Sequence, residues 1–328
     1  MIDTRFPEAL FPPVVDAEDY ANRIKMGEEE AKATSVIFCG MCRDVGSVID
    51  ATISRIYKTA KLFKDYRIVL YENDSKDDTV KKIKMFSDID SKFTLISESR
   101  ETSNWKEKDD HCLGLSRATE LADCRNEYMD HISSMEDLDD FKYVIVLDLD
   151  IIGGWSYEGI LHSLSFLSSN QPVRDSDTHE LLGLESIDAV TSNGVLTEPN
   201  NVVPLENRAM WHRPKALLFF DIWAFRFHGQ PLIQERALSR NNFINIDRGQ
   251  PPFAVESNFN GLAIYKTSPF VNFRYSASKP PEQGFTVNCD HPSLHRAMNE
   301  AGCNIVLNPS MIVSFSSHRF CKTAAFIS

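Results

Sequence analysis

A chain of 328 residues, 42% apolar and 25% charged, has ample length for a large core, and its formal net charge of −12 excludes a general nucleic-acid binder, which needs a basic surface to neutralise phosphates. Met1 to Val15 lacks a basic segment followed by an apolar core, and no run approaches the roughly 18 to 20 apolar residues that span a bilayer. The expectation is a cytoplasmic protein without a membrane span. Seven cysteines, an odd number, read as reduced core thiols; Cys39-Gly-Met-Cys42 could be a redox or zinc half-site, but no second Cys or His pair at zinc spacing accompanies it.

Residues 1–34 read as an N-terminal extension. Ser35 to Gly40 then forms a short buried strand, and Val45 to Phe63 carries apolar residues at helical spacing (Val48, Ile49, Ile53, Ile56, Tyr57, Ala60). Arg67 to Tyr71 is a second strand. The polar turn Glu72-Asn-Asp-Ser-Lys-Asp-Asp-Thr79 leads into a helix to about Phe86, and Lys92 to Ser97 supplies a third strand. A helix from about Cys112 to Ile132 precedes Tyr143-Val-Ile-Val-Leu-Asp-Leu-Asp150. This alternation predicts an α/β fold with a Rossmann-like, mostly parallel central sheet and helices on both faces. Such sheets bind ligands at the carboxyl ends of their strands, where the polar clusters at 42–44, 72–79, 97–104 and 148–150 gather.

Beyond 150 the pattern loosens. Ser156 is placed to cap a helix through Leu167, Asn170 to His179 reads as a surface loop, and strands are expected at Ile187 to Thr191, Leu262 to Tyr265 and Ile305 to Leu307. A helix from about Pro292 to Ala301 lies between the last two. The second half extends the same sheet, with no linker to mark a separate domain.

The end of the 143–150 run is the chemically telling part. Strand residues two apart share a face, so Asp148 and Asp150 aim two carboxylates at one point. Hard oxygen ligands of this kind suit Mg²⁺ or Mn²⁺, which completes its shell with water and substrate phosphate oxygens.

Several segments together resemble a known family. Tyr71 to Thr79 resembles the first nucleotide-contacting turn of GT-A glycosyltransferases, and Val146-Leu-Asp-Leu-Asp150 resembles their metal-binding Asp-x-Asp. Leu121-Ala-Asp-Cys-Arg-Asn126, Phe220-Asp-Ile-Trp-Ala-Phe-Arg226, Asn260-Gly-Leu-Ala-Ile-Tyr265 and Cys289-Asp-His-Pro-Ser-Leu-His295 are similar to blocks of the capsule-associated α-1,3-mannosyltransferase group. The resemblance covers roughly residues 35 to 318 and implies a metal-dependent hexosyltransferase of the GT-A fold. Residues 35–150 would be its nucleotide-sugar-binding half and 151–328 its acceptor-binding half. The donor would be GDP-mannose or a UDP-sugar, and the acceptor a glycan.

The resemblance further implies that Asp150 is a direct metal ligand, with Asp148 on the metal or the donor ribose and His318 as a third ligand near the C-terminus. Glu72 and Asn73 have groups that pair with base edges or sugar hydroxyls. Arg43 could reach base or phosphate. Arg125, with Asn126 beside it, would clamp the diphosphate through its planar fork. Trp223 offers a ring face to a sugar and Asp221 accepts hydroxyl hydrogen bonds, so both are assigned to the acceptor side. Asp290, at a helix start, is the candidate base of an inverting reaction; in a retaining one, Asp290 or Glu256 would orient the sugar. His291 and His295, four apart, read as a helix-surface pair. The alternatives are a non-catalytic nucleotide-sugar or glycan binder, and a haloacid-dehalogenase-type phosphatase, whose motif this chain matches poorly around Ile151 and Ile152.

Overall fold

The computed structural model describes residues 6–101, 114–175, 178, 180–197, 217–219, 221–230, 247–279 and 287–315. The expected alternation is present in the first half: β1 (Ser35–Cys42), α2 (Ile49–Ala60), β2 (Asp65–Asn73), α3 (Thr79–Ser87), β3 (Phe93–Glu98), α4 (Leu115–Ser133) and β4 (Phe141–Leu147). An additional helix, α1 (Ala17–Ala33), precedes them, its N-terminus capped by Asp16, which accepts from the amides of Glu18 at 2.8 Å and Asp19 at 3.2 Å.

The second half contributes β5 (Gly154–Trp155), α5 (Tyr157–Leu167), β6 (Gln171–Asp175), β7 (Leu181–Glu185), β8 (Ala189–Thr197), β9 (Leu217–Phe219), β10 (Arg226–Phe227), β11 (Phe253–Ser257), β12 (Leu262–Lys266), α6 (Asp290–Glu300) and β13 (Ile305–Ser314). Ser156 caps α5 as expected, accepting from Gly159 N at 2.8 Å. The stretch 170–179, expected to be a surface loop, instead supplies β6, which pairs antiparallel with β7. Its polar composition is that of an edge hairpin, which need bury little.

The strands join one sheet in the order β3-β2-β1-β4-β12-β8-β13-β11-β6-β7, with β5, β9 and β10 attached beside it to β13, β8 and β11. The strands β3, β2, β1 and β4 are mutually parallel, whereas β12 enters antiparallel between β4 and β8. Beyond β12 the sheet is mixed, with β13 parallel to β8 and antiparallel to β11. The chain runs outward from β1 to β2 to β3 and then returns to β1's other side with β4. That reversal opens a crevice at the strands' carboxyl ends, the position where open α/β sheets take ligands.

Strand periodicity divides the core in two. On β1 and β4, Val36, Phe38, Tyr143 and Ile145 face one side with Ile53 of α2, Ile83 of α3 and Leu164 of α5. Ile37, Cys39, Val144 and Val146 face the other with Ala122 and Met129 of α4 and Leu294 of α6. Cys39 and Cys42 are buried free thiols in opposite cores, and burial pushes both thiols well up. A side chain in each core is no redox or zinc pair.

The N-terminal extension is packed into this frame. Helix α1 crosses α5 so closely that a Cβ on Gly27 would lie 1.8 Å from the backbone oxygen of Leu161. Gly27→Ala is therefore expected to cost about 3 kcal/mol, since overpacking against backbone cannot be relieved by a rotamer change. Denaturant titration checks this, and an unchanged midpoint would show that the α1–α5 contact adds nothing.

Candidate active site

The crevice between the ends of β1 and β4 is a cleft of about 360 Å³. It collects Arg43, Asn73, Arg125, Asp148, Asp150, Asp221, Trp223 and Asp290, eight of the residues singled out from sequence. They arrive from separate turns: after β1, at the end of β2, on α4, after β4, before β10 and at the start of α6.

Asp148 and Asp150 lie in the turn past the strand they were assigned to, because β4 ends at Leu147. A backbone bond from Asp148 N to Gly261 O at 2.9 Å ties this turn to the loop before β12. Burial pushes the Asp148 carboxyl up to about 7; Asp150, Asp221 and Asp290 add to the rise and Arg125 opposes it. Burial also raises Asp150 and Asp221. Arg125 offsets only part of this crowded negative charge, and a divalent cation would supply more.

Among the described residues no group of three His, Cys, Asp or Glu side chains is arranged to hold a metal. Two carboxylates with room for phosphate oxygens suit Mg²⁺ or Mn²⁺ nonetheless, because these ions are commonly bound by one or two carboxylates plus substrate. The residues present thus fit such an ion. His318, expected as a third ligand, lies outside the described residues.

Other sequence expectations land differently. Glu72 is 1% exposed, and its carboxylate accepts from Ser75 N at 2.8 Å and Ser97 Oγ at 2.6 Å. It holds its own turn and borders a separate surface depression, whereas Asn73 lines the cleft. Successive strand residues face opposite ways, so the pair divides its duties. Glu256, the penultimate residue of β11, does not line the cleft.

Arg125 is not a free fork. Its side chain is 6% exposed; Nε donates to Asp290 Oδ2, and one terminal nitrogen donates to Asp148 Oδ1 at 3.3 Å. Asn126 does not line the cleft at all. Its amide donates to Tyr275 O at 3.0 Å and its Oδ1 accepts from Tyr275 N at 2.9 Å, so both ends are spent on backbone.

Asp221 shapes its own loop, accepting from Trp223 N at 3.1 Å and Ala224 N at 3.2 Å, while its amide donates to Asn260 Oδ1 at 2.8 Å. Trp223 spends its indole N–H on Val287 O at 2.9 Å, leaving its ring to border the cleft. His291 and His295 are buried, not on the helix surface, at 2% and 0% exposure. His295 is fully engaged, with Ser257 Oγ 3.0 Å from Nδ1 and Tyr265 Oη 2.7 Å from Nε2. His291 stacks on Phe259 with ring centroids 3.7 Å apart.

Arg117, Glu120 and Cys124 also line the cleft, and sequence reading did not select them. The signal was available. Arg117, Leu121 and Arg125 are spaced by four on α4, so a helix that brings Arg125 to the site brings the others along the same face.

No protein-family model matches the chain, and no curated protein matches it in sequence. Among solved structures it is similar to the mannosyltransferase PcManGT from Pyrobaculum calidifontis in complex with GDP-Man and Mn²⁺, at 12% identity over 94% of this chain and 67% of that one, TM-score 0.43. It is also similar to GalNAc-T7 with UDP, GalNAc and Mn²⁺ (13% identity, 95% and 55% covered, TM-score 0.43) and to S. aureus TarS 1-349 (11%, 86% and 60%, TM-score 0.41). The chain spans 55% to 67% of the lengths of these three. These are distant likenesses, and the ligands in them are those proteins' own.

Proposed function

We propose that the chain is a metal-dependent glycosyltransferase of the GT-A kind that moves a hexose, mannose foremost, from a nucleoside diphosphate sugar to a hydroxyl of a glycan, in polysaccharide assembly. One observation carries this reading: carboxylates from three separate turns, Asp148 and Asp150, Asp221, and Asp290, converge in one cleft at the sheet's reversal point. GDP-mannose is the first donor to test, on the resemblance of the sequence blocks, with UDP-sugars next.

Asp150 and Asp148 would hold Mn²⁺ or Mg²⁺, which when bound offsets the negative charge that builds on a departing diphosphate. Arg43 and Asn73 border the same cleft and serve the nucleotide. Trp223 presents a ring to the sugar, and Asp221 accepts from its hydroxyls. In the transfer, an acceptor oxygen bonds to the anomeric carbon, the bond from that carbon to the diphosphate oxygen breaks, and the hydroxyl proton leaves. Asp290 lines the same cleft and would take that proton in an inverting transfer; in a retaining one it would orient the sugar.

The test is a panel of nucleotide sugars with Mn²⁺, reading released nucleoside diphosphate. Metal-dependent release from GDP-mannose supports the full proposal. Release from UDP-sugars alone keeps the transferase and replaces its donor. Binding without release supports a glycan or nucleotide-sugar binder, and phosphate freed from simple esters a phosphatase. Asp290→Asn is expected to lower kcat by about 10² to 10³-fold with the metal requirement unchanged, a size typical of removing one proton-handling group; steady-state rates check it, and a kcat within threefold of wild type would remove Asp290 from the chemistry.

A further inference from the structure

Arg125 and Asn126 are neighbours on α4, and both reach across to the second half of the chain. Asn126 joins the backbone of Tyr275 through two hydrogen bonds, as a strand partner would, from 149 residues away. Arg125 joins Asp290, 165 residues away, while another arm of the same fork reaches Asp148. Its remaining terminal nitrogen lies 3.4 Å from Tyr128 Oη. The guanidinium lies over the rings of Phe259 at 5.1 Å and Tyr275 at 5.6 Å, so its position is set from its faces as well as its edges.

A diphosphate clamp needs parallel N–H groups aimed at phosphate oxygens. Here those groups are aimed at two carboxylates of the protein, one beside the proposed metal position and one at the start of α6. Asp290 makes no capping bond to its own helix, whose N-cap residue, Cys289, has no side-chain cap. Its carboxylate accepts from Arg125, and His291 Nε2 lies 3.9 Å from the same oxygen.

We propose that Arg125 and Asn126 form a positioning clasp, which holds Asp290 at a set distance from Asp148 and acts on the reaction through these carboxylates, not through contact with the diphosphate. This role rests on the transferase reading above. Asn126 fixes the α4 face against the Tyr275 backbone, and Arg125 uses that fixed face to place the acceptor-side carboxylate against the donor-side one. Reacting groups displaced by about 1 Å cost on the order of 10²-fold in rate, so a clasp of this kind acts on kcat.

The experiment uses the full chain and the variants Asn126→Ala and Arg125→Lys, with steady-state kinetics on the donor that supports turnover, calorimetric titration of GDP and UDP in Mn²⁺, and thermal melts. Lysine restores the buried positive charge but cannot reach two carboxylates with one point charge. Both variants are expected to melt within a few degrees of wild type, bind the nucleoside diphosphate within about threefold of wild type, and lose on the order of 10²-fold in kcat. A tenfold or greater loss of diphosphate affinity with kcat retained makes Arg125 a clamp and overturns the clasp. Should Arg125→Lys unfold, Asn126→Ala alone decides between the same outcomes. Turnover absent from the wild-type chain overturns the transferase reading and this role with it; turnover present and unaltered in both variants overturns the clasp alone.

Discussion

Asp150→Ala is expected to reduce metal-dependent release of nucleoside diphosphate by more than about 10³-fold, equivalent to roughly 4 kcal/mol of transition-state stabilisation, while the protein melts close to the wild-type temperature. The two halves of that expectation have separate causes. The activity falls because Asp150 is the exposed carboxylate of the pair and holds no ion pair among the described residues, which leaves it to a cation. The fold survives because Asp150 is exposed in the turn after β4 and its side chain supports no packing, so its removal leaves the core intact. Asp148→Ala should differ. That change also deprives the buried Arg125 of a partner, so it costs stability as well as rate. Equal melting losses in the two variants, or wild-type turnover by Asp150→Ala, would falsify the division of roles. Adding a chelator to the wild-type protein should reproduce the Asp150→Ala loss, and added Mn²⁺ should reverse it.

The second large effect is acid destabilisation. His162 is 2% exposed beneath Tyr20, with centroids 5.3 Å apart, and its Nδ1 lies 3.2 Å from Asn308 Oδ1. Burial pushes its pKa down to about 4, and burial pushes His295 down to about 3. Between the ordinary value of 6.5 and these lowered values, the unfolded chain takes up a proton at each site that the folded chain refuses. Unfolding therefore consumes protons, and stability falls as pH drops from about 6.5 towards 4. His162 alone accounts for on the order of 3 kcal/mol of that fall. Urea titrations at pH 7 and pH 4.5 should show a smaller difference for His162→Gln than for wild type. A variant with an equal pH dependence would place the acid sensitivity elsewhere.

Much of the cleft was legible because its signals are local. A run such as Val144 to Leu147 states its own strand, and an Asp-x-Asp at its end states its own chemistry wherever the strand lies in the sheet. The parallel quartet followed in the same way, from strands and helices alternating at short range. Helix α1 was hidden by its composition: a mostly polar helix that buries Tyr20, Gly27 and Ala31 shows little apolar periodicity. The mixed half of the sheet was hidden for another reason. Insertion of β12 between β4 and β8 pairs residues as far apart as Lys266 and Tyr143 on one side and Tyr265 and Ala189 on the other, and no local pattern records a partner.

The sequence by itself determined which residue types stand at each strand end, since alternation at period 2 and helical spacing are properties of short segments. Tertiary structure alone decided what those residues touch. Arg125 reads as a phosphate clamp until Asp290 arrives from 165 residues away, and Glu72 as a nucleotide contact until the 72–79 turn folds Ser75 onto it. A charged or polar side chain has several chemically acceptable partners, and burial with the nearest one selects among them.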